Sequence, residues 1–277
     1  MRSRCLVRAP NYSYGCLTDL YEYQLLGNAA IAHVGDKRLT ALVSTIGTFV
    51  ALPMTEAWRR STVPKDFIVY QWERFKTWAK DRLSFLSVKY VSMPNLTSRP
   101  RWKIQRSKVV PTAKALHRRM AEAVAAGDLQ TLREICVPNL YNKLSDTVRR
   151  RKPGEHVAWD LVGYGAAPRL AAHRIFSVTE NEWSQQATVG ITSTQKLARY
   201  AKDNITPIPG SQRMQTQTEY VIITRKLNVK TWEPTPWRIW GMRSETTLED
   251  WQKELVVLQK LQEAQTDKQA KKLLTRR

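Results

Sequence analysis

The spacing of apolar residues changes once along this chain. Before about residue 150 they recur every three or four positions, the period of a helix face; from 156 to 246 they fall into β-branched and aromatic runs with the period of strands. Over residues 65–83, Ile68, Trp72, Phe75, Ala79 and Leu83 share one helical face, and Lys65, Lys76, Lys80 and Arg82 are left for the polar side. Such a helix either packs its stripe on a neighbouring element or lies in a membrane interface, where tryptophan and tyrosine beside lysines suit the headgroup layer. Phe67, Trp72, Phe75 and Trp78 are the candidate contacts with a membrane or partner.

A second helical block starts at Pro111-Thr112, with Leu116, Met120 and Val124 on its face. Gly127 is placed to close it in a left-handed conformation, and Asp128 to cap a short helix carrying Leu129, Leu132 and Ile135. Pro138 suits the first turn of a third helix with Leu140, Leu144 and Val148, which Lys152-Pro153-Gly154 stops. Strands are expected at 156–164, 169–179, 183–194, 214–229 and 237–246, with a hairpin-type connection at 204–210 that contains Pro207 and Pro209. Residues 247–275 return to helix along Leu248, Trp251, Leu255, Leu258 and Leu261, and the basic end from Lys268 to Arg277 is expected to fray. Helices followed by antiparallel strands predict an α+β layer, a curved sheet with helices on one face.

Charge divides the chain differently. The net charge is +21, but residues 120–250 carry 17 basic and 14 acidic side chains, whereas residues 55–119 carry 16 and 4. An almost balanced middle is therefore flanked by a strongly basic arm and a basic tail, which attract a polyanion: RNA, DNA or an anionic membrane. The organisation expected is an N-terminal extension over 1–110, an α+β domain over 111–250 and a helical tail over 251–277. Within the extension, residues 94–111 begin and end in proline, contain Pro100 and hold no acid, so they should stay extended. Arg99, Arg101, Lys103, Arg106 and Lys108 are candidates for neutralising RNA phosphates, Trp102 for stacking on a base, and Arg118 and Arg119 for extending the basic surface. Residues 39–54 carry no charge but number only 16, short of the ~20 that span a bilayer. Burial in the core or against a partner is expected there in preference to insertion. The first 18 residues hold Arg2, Arg4 and Arg8 without an acid, as a mitochondrial presequence does.

The segment from Ala125-Ala126-Gly127-Asp128-Leu129 to Leu132-Arg133-Glu134-Ile135-Cys136, followed by Leu140-Tyr141-Asn142-Lys143-Leu144, resembles the helices of the domain named for subunit 44 of the inner-membrane translocase. Glu219-Tyr220-Val221-Ile222 and Pro236-Trp237-Arg238-Ile239-Trp240-Gly241 continue the likeness over the strands. The resemblance implies a cone-like fold of the nuclear-transport-factor type over about residues 111–250. Within that superfamily the basic arm and aromatic-rich sheet look most like the mitochondrial large-subunit ribosomal protein 45 family and the fungal Mba-type ribosome receptors. That likeness implies a place near the polypeptide exit of the mitochondrial ribosome. The partners implied are large-subunit ribosomal RNA, neighbouring ribosomal proteins, the matrix face of the inner membrane and an Oxa-type insertase. The region before residue 111 follows no motif of the family.

Catalysis has little to work with. Alternation puts His156 and Asp160 on one strand face, and His173 sits on another strand, where an exposed or satisfied histidine is the simpler expectation. No P-loop, dinucleotide fingerprint, metal triad or nucleophile elbow occurs, and no cofactor or small-molecule substrate is expected. Cys5, Cys16 and Cys136 are too few and too scattered for a disulfide framework or a zinc site. The alternatives are a ribosomal scaffold that tethers to the membrane, a preprotein-import motor scaffold, and a cone-fold pocket enzyme. An import scaffold of this superfamily would carry a long charged helical arm for a chaperone, where this arm is short, proline-broken and rich in arginine and tryptophan.

Overall fold

The computed structural model describes residues 49–61, 63–95, 98–151, 156–179, 182–200 and 207–257, with 259 and 263. All of them belong to one compact unit, Val43–Arg277. The arginine-bearing start, Cys5, Cys16, most of the uncharged 39–54 stretch and the final basic tail lie outside the described residues.

Five helices precede the sheet: α1 Met54–Arg60, α2 Pro64–Val91, α3 Arg106–Ala126, α4 Leu129–Ile135 and α5 Pro138–Arg149. Their ends follow local chemistry. α2 and α5 have proline in the first turn, where no intrahelical N–H bond is lost. α3 closes on Gly127 at φ 75°, the left-handed region that a side chain disfavours. Asp128 then accepts from the N–H groups of Gln130 and Thr131, both at 3.0 Å, and caps α4. Arg151 carries the next turn back onto α3, donating to the carbonyls of Ala125 and Val124 at 3.0 and 2.5 Å.

The strands β1 His156–Tyr164, β2 Arg169–Thr179, β3 Glu182–Tyr200, β4 Arg213–Asn228 and β5 Arg238–Arg243 form an open antiparallel sheet. β3 organises it. One edge of β3 pairs with β2 over its first half, Arg169 opposite Gly190, and with β1 over its second half, His156 opposite Tyr200. The other edge pairs with β4 from Glu182–Asn228 to Leu197–Arg213, and β4 carries β5. Tyr220 faces Gly190 across β3 and β4, and a Cβ on Gly190 would lie 2.9 Å from the tyrosine ring. Only the bare backbone leaves that ring room. The fold class is thus α+β, as expected. β3 runs six residues past its expected end, because Gln195 to Tyr200 weaken the strand signal while gaining ladder partners on both sides.

Three expectations are corrected. Residues 94–111 are not extended throughout: α3 starts at Arg106 and passes through Pro111, so a domain boundary at 110/111 would cut a helix. Proline at that sixth helical position removes one backbone bond, and burial of Val109 and Ala113 against the sheet side offsets it. The residues before 111 are no separate extension either. Phe49, Leu52 and Ala57 pack with Tyr70 of α2 and with Trp251 of α6, the helix at 248–257. Tyr70 Oη accepts from the Leu52 N–H at 2.9 Å and donates to the Thr246 carbonyl at 3.1 Å, stitching these segments together. Phe85 and Val88 of α2 pack with Trp102, Ile175, Leu227 and Trp232. Finally, the stripe read on α2 does not face the core. Tyr70, Phe85 and Val88 are the buried positions, and Ile68, Trp72, Phe75 and Leu83 are each more than half exposed.

Candidate functional site

Residues 98–105 form a short strap, neither helix nor strand, that leads into the start of α3. Its backbone is held where the Arg101 N–H donates to the Ser92 carbonyl at 3.2 Å. Burial along the strap separates charge from anchor. Arg99, Arg101 and Lys103 are exposed, whereas Trp102 between them is 3% exposed and stacked parallel on Phe85 at 6.0 Å. Trp102 therefore cannot stack on a base, as the sequence suggested. It is the nail that holds the cations outward.

Arg106 and Lys108 continue the exposed row into the first turn of α3, which contains no acidic residue. The positive end of the helix dipole makes that turn a poor place for cations unless an anion sits nearby. Among the described residues none of these five cations makes a salt bridge, while Arg118 pairs with Glu122 and Arg119 with Glu134. Arg118 and Arg119 are thus largely neutralised and add little to a phosphate-binding row. The arginines at the end of α5 were missed: Arg149 and Arg150 are exposed, but the sequence counted them into the balanced middle of the chain.

On α2, Ile68, Trp72, Phe75, Leu83, Leu86 and Tyr90 form an exposed ladder that spans roughly 33 Å of helix. Trp72, Phe75 and Trp78 stack in sequence at 5.8 and 5.9 Å. Phe67 instead turns inward against Trp58, edge to face at 5.0 Å, and joins the Tyr70–Trp251 cluster. Lys76 and Lys80 flank one side of the ladder, Arg82 and Lys89 the other. Among the described residues no helix is long and apolar enough to cross a membrane.

Below α2 and beside the first residues of β2 lies a cleft of about 260 Å³ that includes Asp81 and His173. Burial lifts the Asp81 carboxyl to about 6, with Arg174 and the His173 N–H opposing the rise. Burial, with Arg106, Arg225 and Arg82 nearby, lowers the His173 imidazole to about 4. Hydrogen bonding agrees: Arg225 Nε donates to Gln185 Oε1 at 2.7 Å, which turns the Gln185 amide NH₂ toward His173 Nε2 at 2.8 Å. A ring nitrogen facing a donor must be unprotonated. His173 is therefore a locked neutral group, while His156 and Asp160 are exposed.

The two shifts oppose each other. Below pH 6.5 the unfolded chain protonates His173 while the fold does not, so acidification costs stability down to pH 4. From pH 6 down to 3.8 the folded Asp81 takes a proton that the unfolded carboxylate does not, so acidification adds stability. His173→Gln should therefore gain on the order of 2–3 kcal/mol relative to the parent between pH 6 and 4. Asp81→Asn should lose a similar amount relative to it over the same interval. Urea titrations at pH 4, 5, 6 and 7 measure this, and parallel pH profiles for all three proteins would refute it.

A second buried group escaped the sequence reading. His117 Nε2 of α3 lies 2.9 Å from Glu219 Oε2 of β4, and both side chains are 2% exposed. Gln195 Nε2 donates to Glu219 Oε2 and to Ser193 Oγ, each at 2.9 Å, and Trp159 Nε1 donates to Gln195 Oε1 at 2.9 Å. The signal was available. His117 sits between Ala113 and Met120 on the buried face of α3, and Glu219 alternates with Val221 and Ile223.

Among the described residues no three His, Cys, Asp or Glu side chains gather to hold a metal ion. Cys136 is buried, and burial pushes its thiol up to about 12, far from a reactive thiolate. No protein-family model matches the chain, and no curated protein is detectably similar to it in sequence.

Proposed function

We propose that this protein is a non-catalytic scaffold of the mitochondrial large ribosomal subunit. In this reading the strap and the first turn of α3 bind ribosomal RNA, and the ladder on α2 rests on the matrix face of the inner membrane. The observation that carries the reading is the row Arg99, Arg101, Lys103, Arg106 and Lys108, exposed, without salt-bridge partners among the described residues and fixed by buried Trp102. Five exposed cations, three of them on a strap anchored by Trp102, serve a polyanion better than they serve the fold.

The cone of the nuclear-transport-factor type belongs to the same proposal. An antiparallel sheet in which β1, β2 and β4 all pair with β3, with α3 packed on it, supports that reading. Neighbouring ribosomal proteins and an Oxa-type insertase, the partners that the family resemblance implies, also belong to the proposal. A preprotein-import scaffold is the second reading, because the α2 ladder would suit any inner-membrane peripheral protein.

Sucrose-gradient fractionation of mitochondrial lysate separates the two. The scaffold should travel with the large ribosomal subunit at low salt and leave it as salt rises. Recovery only in free or import-complex fractions at low salt would end the ribosomal reading.

A further inference from the structure

The cleft beneath α2 joins Arg106 of the cationic row to features that neither RNA binding nor a passive apolar face uses. It lies between α2, residues 104–106 and the stretch Leu170–His173 of β2, with a volume of about 260 Å³. Arg74, Arg82 and Arg106 all line it. None of the three forms a salt bridge among the described residues, and the one carboxylate in the lining is Asp81. Apart from Thr77 and His173, its remaining wall is apolar, including Trp78, Ile104 and Leu170. Three arginines lining one small concavity suit a phosphodiester, which accepts the forked donors of arginine in pairs.

The position of Trp78 narrows the source of that phosphate. Its ring closes the exposed Trp72–Phe75–Trp78 stack and also lines the cleft, and the Arg82 guanidinium lies 5.6 Å over it. The cleft is thus continuous with an aromatic ladder suited to the interfacial layer of a bilayer. A ligand entering from that side would present an anionic head to the arginines and an apolar body to the ladder. RNA offers the phosphate but not the apolar body.

We propose that the cleft is a headgroup site for an anionic phospholipid, seated on Arg74, Arg82 and Arg106 with its acyl chains running past Trp78 onto the α2 ladder. The proposal rests on the reading that α2 faces the membrane, and it names the lipid class that this face takes.

Calorimetric titration with dihexanoyl-phosphatidylglycerol below its micelle concentration tests the cleft, and flotation with phosphatidylcholine vesicles, with and without phosphatidylglycerol, tests the membrane face. Two variants make the comparison. Arg74→Gln/Arg82→Gln removes two guanidinium groups from the cleft and spares Arg106, which also belongs to the RNA row. Lys76→Gln/Lys80→Gln removes the same charge from the same helix outside the cleft. The arginine variant should bind the soluble lipid at least about tenfold more weakly than the lysine variant, which should stay near the parent value. It should also lose the preference for phosphatidylglycerol vesicles.

Equal losses in both variants, or no calorimetric binding by the parent, would overturn the cleft while parent flotation would still uphold the membrane face. Binding of the soluble lipid without flotation would uphold the cleft and reject the tether. Glycerol 3-phosphate binding as tightly as the lipid would overturn a lipid source in favour of a free phosphate. Displacement of the lipid by an RNA hairpin, lost in the arginine variant, would assign the cleft to RNA instead.

Discussion

Glu219→Ala should destabilise the fold by about 3–5 kcal/mol, because it strips a buried hydrogen-bonded group of its partner and leaves His117 and the Gln195 amide facing an apolar hole. The pair joins α3 to the centre of β4 at 2.9 Å with both side chains almost fully enclosed, so water cannot replace the lost carboxylate. A fold of this size has roughly 5–15 kcal/mol in total, so this single change takes a large share of it. His117→Leu should cost less, since Glu219 keeps Gln195 as a donor at 2.9 Å. Replacing both, as His117→Leu/Glu219→Leu, should recover at least half the loss of Glu219→Ala, because two apolar side chains fill the space without an orphaned charge. Urea denaturation of the four proteins measures the three costs. A Glu219→Ala cost below about 1 kcal/mol would mean the pair does not hold the helix to the sheet.

The joint between α3 and α4, the start of α5 and the order of the strands were legible because each rests on local chemistry. Gly127 and Asp128 mark the joint between α3 and α4, and the runs Val189-Gly190-Ile191 and Tyr220-Val221-Ile222-Ile223 mark the two central strands. The start of α3 was not legible. Arg99 to Lys108 repel one another as an isolated segment, and proline at 111 reads as a start signal; tertiary packing of Val109 and Trp102 reverses both preferences. The orientation of α2 was misread for a related reason. It is apolar on two sides, so Ile68, Trp72 and Phe75 give a helical period as clear as that of Tyr70, Phe85 and Val88. Periodicity finds a face but does not say which of two faces meets the core.

Trp102 shows the same limit at the candidate site. Aromatic residues among arginines read equally as base-stacking groups and as anchors, and only the parallel contact with Phe85 decides for the anchor. The candidate row itself was legible, since five of the eight residues named from sequence stand exposed and without salt-bridge partners among the described residues. The cleft was not, because Arg106 and the β2 residues reach the α2 arginines Arg74 and Arg82 only once the chain folds.

Replacing Arg99, Arg101, Lys103, Arg106 and Lys108 together by glutamine should remove most of the salt dependence of RNA binding. Each phosphate neutralised contributes ~0.7–0.9 to the slope of log affinity against log salt, so five contacts contribute about 4. Over a fourfold rise in salt, such a slope alone weakens binding by roughly 250-fold. Fluorescence anisotropy with an RNA hairpin between 50 and 200 mM potassium chloride reads it directly. Arg118→Gln/Arg119→Gln is the control of matched chemistry. Both arginines are exposed, but each already faces a glutamate, so the slope should change by less than about one. The five-fold variant should keep its thermal stability, because its side chains point to solvent and Trp102 still holds the strap on Phe85. A slope left unchanged by the five substitutions would move the RNA contact elsewhere, and the exposed Arg149 and Arg150 at the end of α5 would be the next residues to replace.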